Sequence, residues 1–184
     1  MLWHARTSQA LPTAPQALPT PAQLASLGPV LCLSRVQPGG ALAGWAQAAR
    51  SEVACDVERE GPCEAIHFVD ARERPCWRLY LLPDSDFLAW DALIAGLRTR
   101  ADRAWHAARG HRLERRLHAE RWSATVLSLR TTRSHADAGT ALAADRSAIS
   151  SLGMSIALRI ARTEGIELDA PHNTDCCCQH HAWR

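Results

Sequence analysis

Two stretches of this chain concentrate side chains that hold metals and anions. The C-terminal run Cys176-Cys177-Cys178-Gln179-His180-His181 gathers thiols and imidazoles, the usual ligands of soft and borderline metal ions. Between Arg98 and Arg121, eight arginines stand against three acidic residues, Asp102, Glu114 and Glu120. His106, His111 and His118 are interspersed with them, and Arg109 and Arg112 flank His111. On a helix, His111 and His118 share one face with Arg115 between them. Guanidinium groups pair with carboxylates and stack on flat rings, so this stretch offers an imidazole and a cation together. A third candidate, His67, sits between Ile66 and Phe68. In a strand whose buried face is Ile66 and Phe68, His67 points to the opposite side.

The tail has two readings, a metal site formed by Cys176, Cys177, Cys178, His180 and His181 or a non-functional end. Consecutive residues rarely converge on one tetrahedral ion, and no Cys-x-x-Cys pair exists in the chain, so it is not a zinc-finger pattern. Cys32, Cys55, Cys63 and Cys76 read as small buried hydrophobes. Seven cysteines form a poor disulfide framework and fit a reducing cytoplasm. Nucleophile elbows, phosphate-binding glycine loops and His-Glu-x-x-His are absent from the sequence, so no conventional catalytic signature is present.

The elements that position these groups follow from the rest of the 184 residues. This length suits one domain. Hydrophobic residues make up 47% and charged residues 22%, as in a soluble globule. All 21 basic residues are arginine, and the formal net charge of +2 is too small to argue for nucleic acid. The longest apolar stretch, Ala148 to Ala161, carries Arg159 and is too short to span a bilayer. No export signal is read at the N-terminus, where Pro, Thr and Gln interrupt any apolar core.

Residues 1–22 read as a disordered Pro/Ala-rich lead, residues 23–165 as the folded domain, and residues 166–184 as a flexible Cys/His-rich tail. Pro29 to Val36 predicts a strand, and Pro38-Gly39-Gly40 a turn. Ala41 to Arg50 predicts a short helix carrying Trp45, and Glu52 to Val57 a strand. Ala65 to Val69 and Cys76 to Leu82 predict a hairpin, with Trp77, Leu79 and Leu81 on one face and Arg78 and Tyr80 on the other. A helix follows, capped by Asp84 or Ser85, with Phe87, Trp90, Ile94 and Leu97 as its buried stripe. Ala101 to Trp122 reads as a polar helix and Ser123 to Thr132 as a strand. Ala138 to Thr163 reads as a helix, with Leu142, Ile149, Leu152, Ile156 and Ile160 in the core and Gly165 as its stop.

Two blocks carry a family resemblance. Leu27-Gly28-Pro29-Val30-Leu31-Cys32-Leu33-Ser34-Arg35 is similar to the Leu-Gly-x-Val-x-x-Leu-Thr-Arg that opens a HemS-type repeat. Phe68-Val69-Asp70-Ala71, Trp77-Arg78-Leu79-Tyr80-Leu81, Ser85-Asp86 and Trp90-Asp91-Ala92-Leu93-Ile94 resemble the repeat's close, in order and without a gap. The chain thus resembles a truncated, single-repeat member of the HemS/ChuX-type hemin transport and haem-utilisation family. It departs from the pattern between Arg35 and Glu64, where the family has further strands. The family's second repeat is not recognisable after Trp122, and no Thr-Asp-x-His motif is present.

The resemblance implies an α+β fold, a small antiparallel sheet with helices packed on one face, as a HemS-like half-repeat. It implies haem as cofactor and a cytoplasmic role in hemin uptake and iron acquisition, as carrier or chaperone. Its partners would be a hemin transporter or a haem-accepting enzyme, with a homodimer as a candidate assembly. Haem binding needs an axial ligand, an apolar slot and cations for the propionates. His106, His111 or His67 would supply the ligand, and Arg78, Arg109 and Arg112 the cations. Three rival readings are open: a scaffold relative acting through protein contacts without haem, a haem-degrading oxygenase, and an anion or nucleic-acid binder using the Arg98–Arg121 stretch. The last ranks lowest, since only Trp105 and Trp122 accompany those arginines.

Overall fold

A computed structural model describes residues 18–58, 61–98, 121–133 and 139–169 of the protein. Their order is α1 (Pro21–Ala25), β1 (Pro29–Arg35), a 3-10 turn (Gly40–Leu42), α2 (Ala43–Gln47), β2 (Ala48–Glu58), β3 (Gly61–Asp70), β4 (Pro75–Tyr80), α3 (Phe87–Arg98), β5 (Trp122–Arg133), β6 (Thr140–Arg146) and α4 (Ser151–Glu164). The six strands form one sheet in the order β2-β3-β4-β1-β5-β6, and every neighbouring pair runs antiparallel. The chain adopts the expected α+β class.

β1 lies at the centre because it is apolar on both sides. Val30 and Cys32 enter one core and Leu31 and Leu33 the other, all four at most 1% exposed. Such a continuous apolar run is what a strand covered on both faces requires. On the first face, Ile66, Phe68, Trp77 and Leu79 meet Leu24 and Leu27 from the α1 end and Trp90, Leu93 and Ile94 from α3. Trp45 of α2 packs edge-on to Phe68, ring centroids 5.8 Å apart. Gly44 lets α2 approach this closely: a β-carbon there would lie 2.2 Å from the Cys76 carbonyl oxygen. α1, α2 and α3 therefore share one face, and α4 covers the other through Ala157, Ile160 and Ala161.

Several elements differ from their expected form. The Trp45 helix ends at Gln47 and β2 takes over at Ala48. Residues 140–146, expected as helix, are strand β6, and the helix begins only at Ser151. Alanine-rich Thr140-Ala141-Leu142-Ala143-Ala144 favours helix on its own, but pairing along β5 from Leu127 to Arg133 outweighs that weak preference. Leu142 still reaches the first core, whereas Leu152 is 60% exposed.

The cap of α3 is Asp86, whose Oδ1 accepts from the Ala89 amide at 2.9 Å, rather than Asp84 or Ser85. Ser85 is already engaged, accepting from the Leu82 amide and donating to the Pro29 carbonyl. Asp84 accepts from the Ser150 amide at 2.8 Å and the Ser150 hydroxyl at 3.0 Å, tying α4 to the start of α3. Phe87 is half exposed rather than buried. A helical side chain covers the turn N-terminal to its own position, and Phe87, as the first helical residue, has no such turn. Gly165 ends α4 as expected, with φ of 72°.

Candidate functional site

The hairpin β3–β4 sends its chemistry to the second face. Cross-strand register sets Glu52, His67, Arg78, Leu33 and Ala124 side by side across β2, β3, β4, β1 and β5. The neighbouring row is Ala54, Ala65, Tyr80, Leu31 and Val126. Strand alternation thus gathers an imidazole, a guanidinium and a phenol on one surface. His67 is half-buried, with its ring 6.3 Å from that of Tyr80.

α4 ends over this surface. Its last residue, Glu164, accepts from Arg78 Nη1 at 2.7 Å and from Tyr80 Oη at 2.6 Å. The side chains of Arg78 and Glu164 are only 5% and 8% exposed, so this is a buried ion pair reinforced by a phenol. The Arg78 guanidinium also lies over the Trp122 ring, 5.1 Å from its centroid, and Arg35 lies 5.9 Å from the same ring. Both distances fall within cation–π range. Arg78 Nε is buried and has no hydrogen-bond partner.

Around this centre the charges are paired off. Arg50 bridges Glu52 and Glu73. Partial burial works against its charge, but the two carboxylates outweigh it and raise its pKa above the ordinary value. At the hairpin turn, Asp70 accepts from the amides of Arg72 and Arg74 at 2.8 and 3.0 Å and from the Arg74 guanidinium at 2.9 and 3.0 Å. Burial would raise its pKa, and these donors together hold its carboxyl below the usual range. Burial pushes the Cys32 thiol up strongly and the Cys76 thiol up to about 11, so both stay protonated and inert at neutral pH.

Of the sequence candidates, the structure brings His67 and Arg78 together on one face, with Arg78 already engaged by Glu164. His106, Arg109, His111 and Arg112, and the tail residues Cys176, Cys177, Cys178, His180 and His181, lie outside the described residues. Among the described residues, no group of three or more His, Cys, Asp or Glu could hold a metal ion, and no helix is long and apolar enough to cross a membrane.

Sequence reasoning missed Trp122 and Glu164 as members of this site. Glu164 stands 86 residues from Arg78, and nothing local in the chain connects them. One signal was present: a glutamate just before a helix-ending glycine stands at the negative end of the helix dipole, where a carboxylate is disfavoured without a cation nearby.

The cleft between the hairpin and α3 holds no room for a ligand. Ile66, Phe68, Trp77 and Leu79 fill it against Trp90, Leu93 and Ile94, all at most 5% exposed. The second face is packed as well at its centre, where Ala65, Arg78 and Tyr80 are 2%, 4% and 4% exposed, while Glu52, Ala54 and His67 towards β2 are half-buried. The small residues Ala54 and Ala65 lie beside His67 and Tyr80 in the register.

Searches against protein-family models and curated proteins return no match. The solved structures similar over part of the chain include two haem proteins. One is the haem-degrading enzyme ChuS of Escherichia coli O157:H7, at 20% identity and a TM-score of 0.35, covering 41% of this chain and 30% of that one. The other is holo-PhuS, a haem-binding protein from Pseudomonas aeruginosa, at 21% identity and a TM-score of 0.32, covering 44% and 31%. The chain therefore spans less than a third of the length of either protein.

Proposed function

We propose that this protein binds haem on the second face of its sheet, as a carrier in hemin uptake or use. The observation that carries the reading is the shared face of His67, Tyr80 and Arg78, in cross-strand register beside Ala54 and Ala65. These residues fit the group's needs in kind: an imidazole for iron, small side chains and an aromatic ring beside it, and a guanidinium for a propionate. When bound, haem supplies an iron with open coordination positions, and the chain supplies the ligand and the surroundings. Arg78 meets a propionate only by giving up Glu164. His106 or His111 would supply a ligand from the stretch after α3, with Arg109 and Arg112 as further cations.

Hemin titration of the purified protein under reducing conditions tests this. The expected result is a saturable Soret shift that weakens in His67→Ala. A shift lost only in His106→Ala or His111→Ala would move the ligand to that stretch. A flat titration ends the reading.

A second reading is a scaffold that works by protein contact without haem. The filled cleft under α3 favours it, as do the adjacent side chains of Phe87 and Leu88, 51% and 83% exposed at the start of that helix. It predicts a folded protein whose spectrum is indifferent to hemin.

A further inference from the structure

The last turn of α4 places a carboxylate where local forces do not favour one. Glu164 sits at the negative end of a 14-residue helix, and it is 8% exposed at its side chain. A carboxylate there is opposed by the helix dipole and by loss of water. What receives it is a cradle from the sheet: Arg78 Nη1 on one oxygen, Tyr80 Oη on the other, and the Trp122 ring against the guanidinium. The fit is incomplete. A guanidinium can donate two parallel bonds to one carboxylate, yet Arg78 gives Glu164 a single bond while its Nε stays buried and without a partner.

We propose that the Arg78–Tyr80–Trp122 cradle is a receptor for the carboxylate of a ligand, and that Glu164 is a plug supplied by the chain itself. An entering carboxylate displaces the plug and takes up the Nε donor that Glu164 leaves idle. Local rules broken at one residue, with the compensation supplied from a distant strand, mark such functional positions. The backbone is arranged for the exchange. Gly165, in the left-handed conformation, separates the Glu164 turn from an anchor beyond it. There Leu168 bridges Ala124, and the Asp169 amide donates to the Ala124 carbonyl at 2.7 Å. Glu164 swings out from this fixed point without releasing the chain that follows. The proposal extends the haem reading at its propionate end, and it rests on that reading only for the choice of a porphyrin as one probe.

The test uses the full chain and three probes: metal-free protoporphyrin IX, its dimethyl ester, and benzoate. Trp fluorescence reports binding, and hydrogen exchange reports the Gly165 and Ile166 amides, which donate to Arg162 and Ala161 when the turn is closed. In the wild-type protein a free-acid probe deprotects these two amides and the ester does not. Glu164→Gln binds the free acid about tenfold tighter, because a closed state no longer competes with the ligand. Arg78→Gln abolishes the difference between acid and ester. Response to protoporphyrin alone assigns a porphyrin propionate, and response to benzoate as well assigns a general carboxylate site. Equal behaviour of wild type and Glu164→Gln, including binding by neither, with Gly165 and Ile166 unchanged in protection, overturns the proposal. The haem reading fails separately, when the free acid opens the turn but the hemin titration of the wild-type protein stays flat.

Discussion

At the scale of single residues, buried charge decides the behaviour of the hairpin. Arg78 and Glu164 are both nearly inaccessible, so deleting one leaves the other a buried charge without its ion-pair partner. Arg78→Met or Glu164→Met alone is expected to cost about 3–5 kcal/mol, and the double variant much less, in a urea-denaturation cycle. Additive losses would show that the pair is not coupled. Asp70 behaves differently because it is tied to backbone amides. Its folded pKa lies below the unfolded value, so its contribution is complete above about pH 4 and is lost as pH falls through the lower folded value. Asp70→Asn is expected to lose about 1–3 kcal/mol at neutral pH and to flatten the acid limb of the stability profile. An unchanged acid limb would remove Asp70 from that role. Both sites differ in how far the sequence announced them. The Asp70 turn is local, and the opposite orientations of His67 and Phe68 follow from strand alternation. The partner of Arg78 comes from an element 86 residues away, which no local pattern encodes.

At the scale of elements, close approach between backbones sets the tolerances. Gly44 faces the Cys76 carbonyl, which belongs to a central hairpin and cannot give way. Gly153 faces Asp84 Oδ2, where a β-carbon would come within 2.0 Å, but this atom ends a side chain that can turn aside at the cost of its bonds to Ser150. Gly44→Ala is therefore expected to cost more than the 1–3 kcal/mol typical of overpacking. Gly153→Ala should cost less, since helix propensity returns about 1 kcal/mol. Thermal unfolding of the two variants checks the order, and a reversed order would count against rigid contact at Cys76. Strands β1, β3, β4 and β5 were legible because their apolar runs are buried by neighbours in any arrangement. Strand β6 was not, because Ala141 to Ala144 has helical composition and takes its form from the free edge of β5. Phe87 was misread for a similar reason: its spacing fits the α3 stripe, but its position at the helix start leaves it nothing to cover.

At the scale of the whole molecule, two cores share one central sheet. Trp45, Trp77 and Trp90 belong to the first core, and Trp122 packs against the second. β1 contributes to both, with Val30 and Cys32 facing one and Leu31 and Leu33 the other. Neither face can be lost without uncovering the strand that the other needs, so the described domain should unfold in one cooperative step. Trp90→Ala removes a fully buried ring from the first core and is expected to cost about 3–5 kcal/mol. Ile160→Ala opens the second core and is expected to cost about 2–5 kcal/mol. Each kilocalorie should lower the midpoint by about 2–4 °C for a chain of this size. Both variants should therefore melt earlier in a single transition, with tryptophan fluorescence and far-ultraviolet circular dichroism coinciding. Two separated transitions in Ile160→Ala, the first seen only by Trp122, would mean that α4 detaches independently of the sheet. A helix that detaches so readily would carry Glu164 away with it.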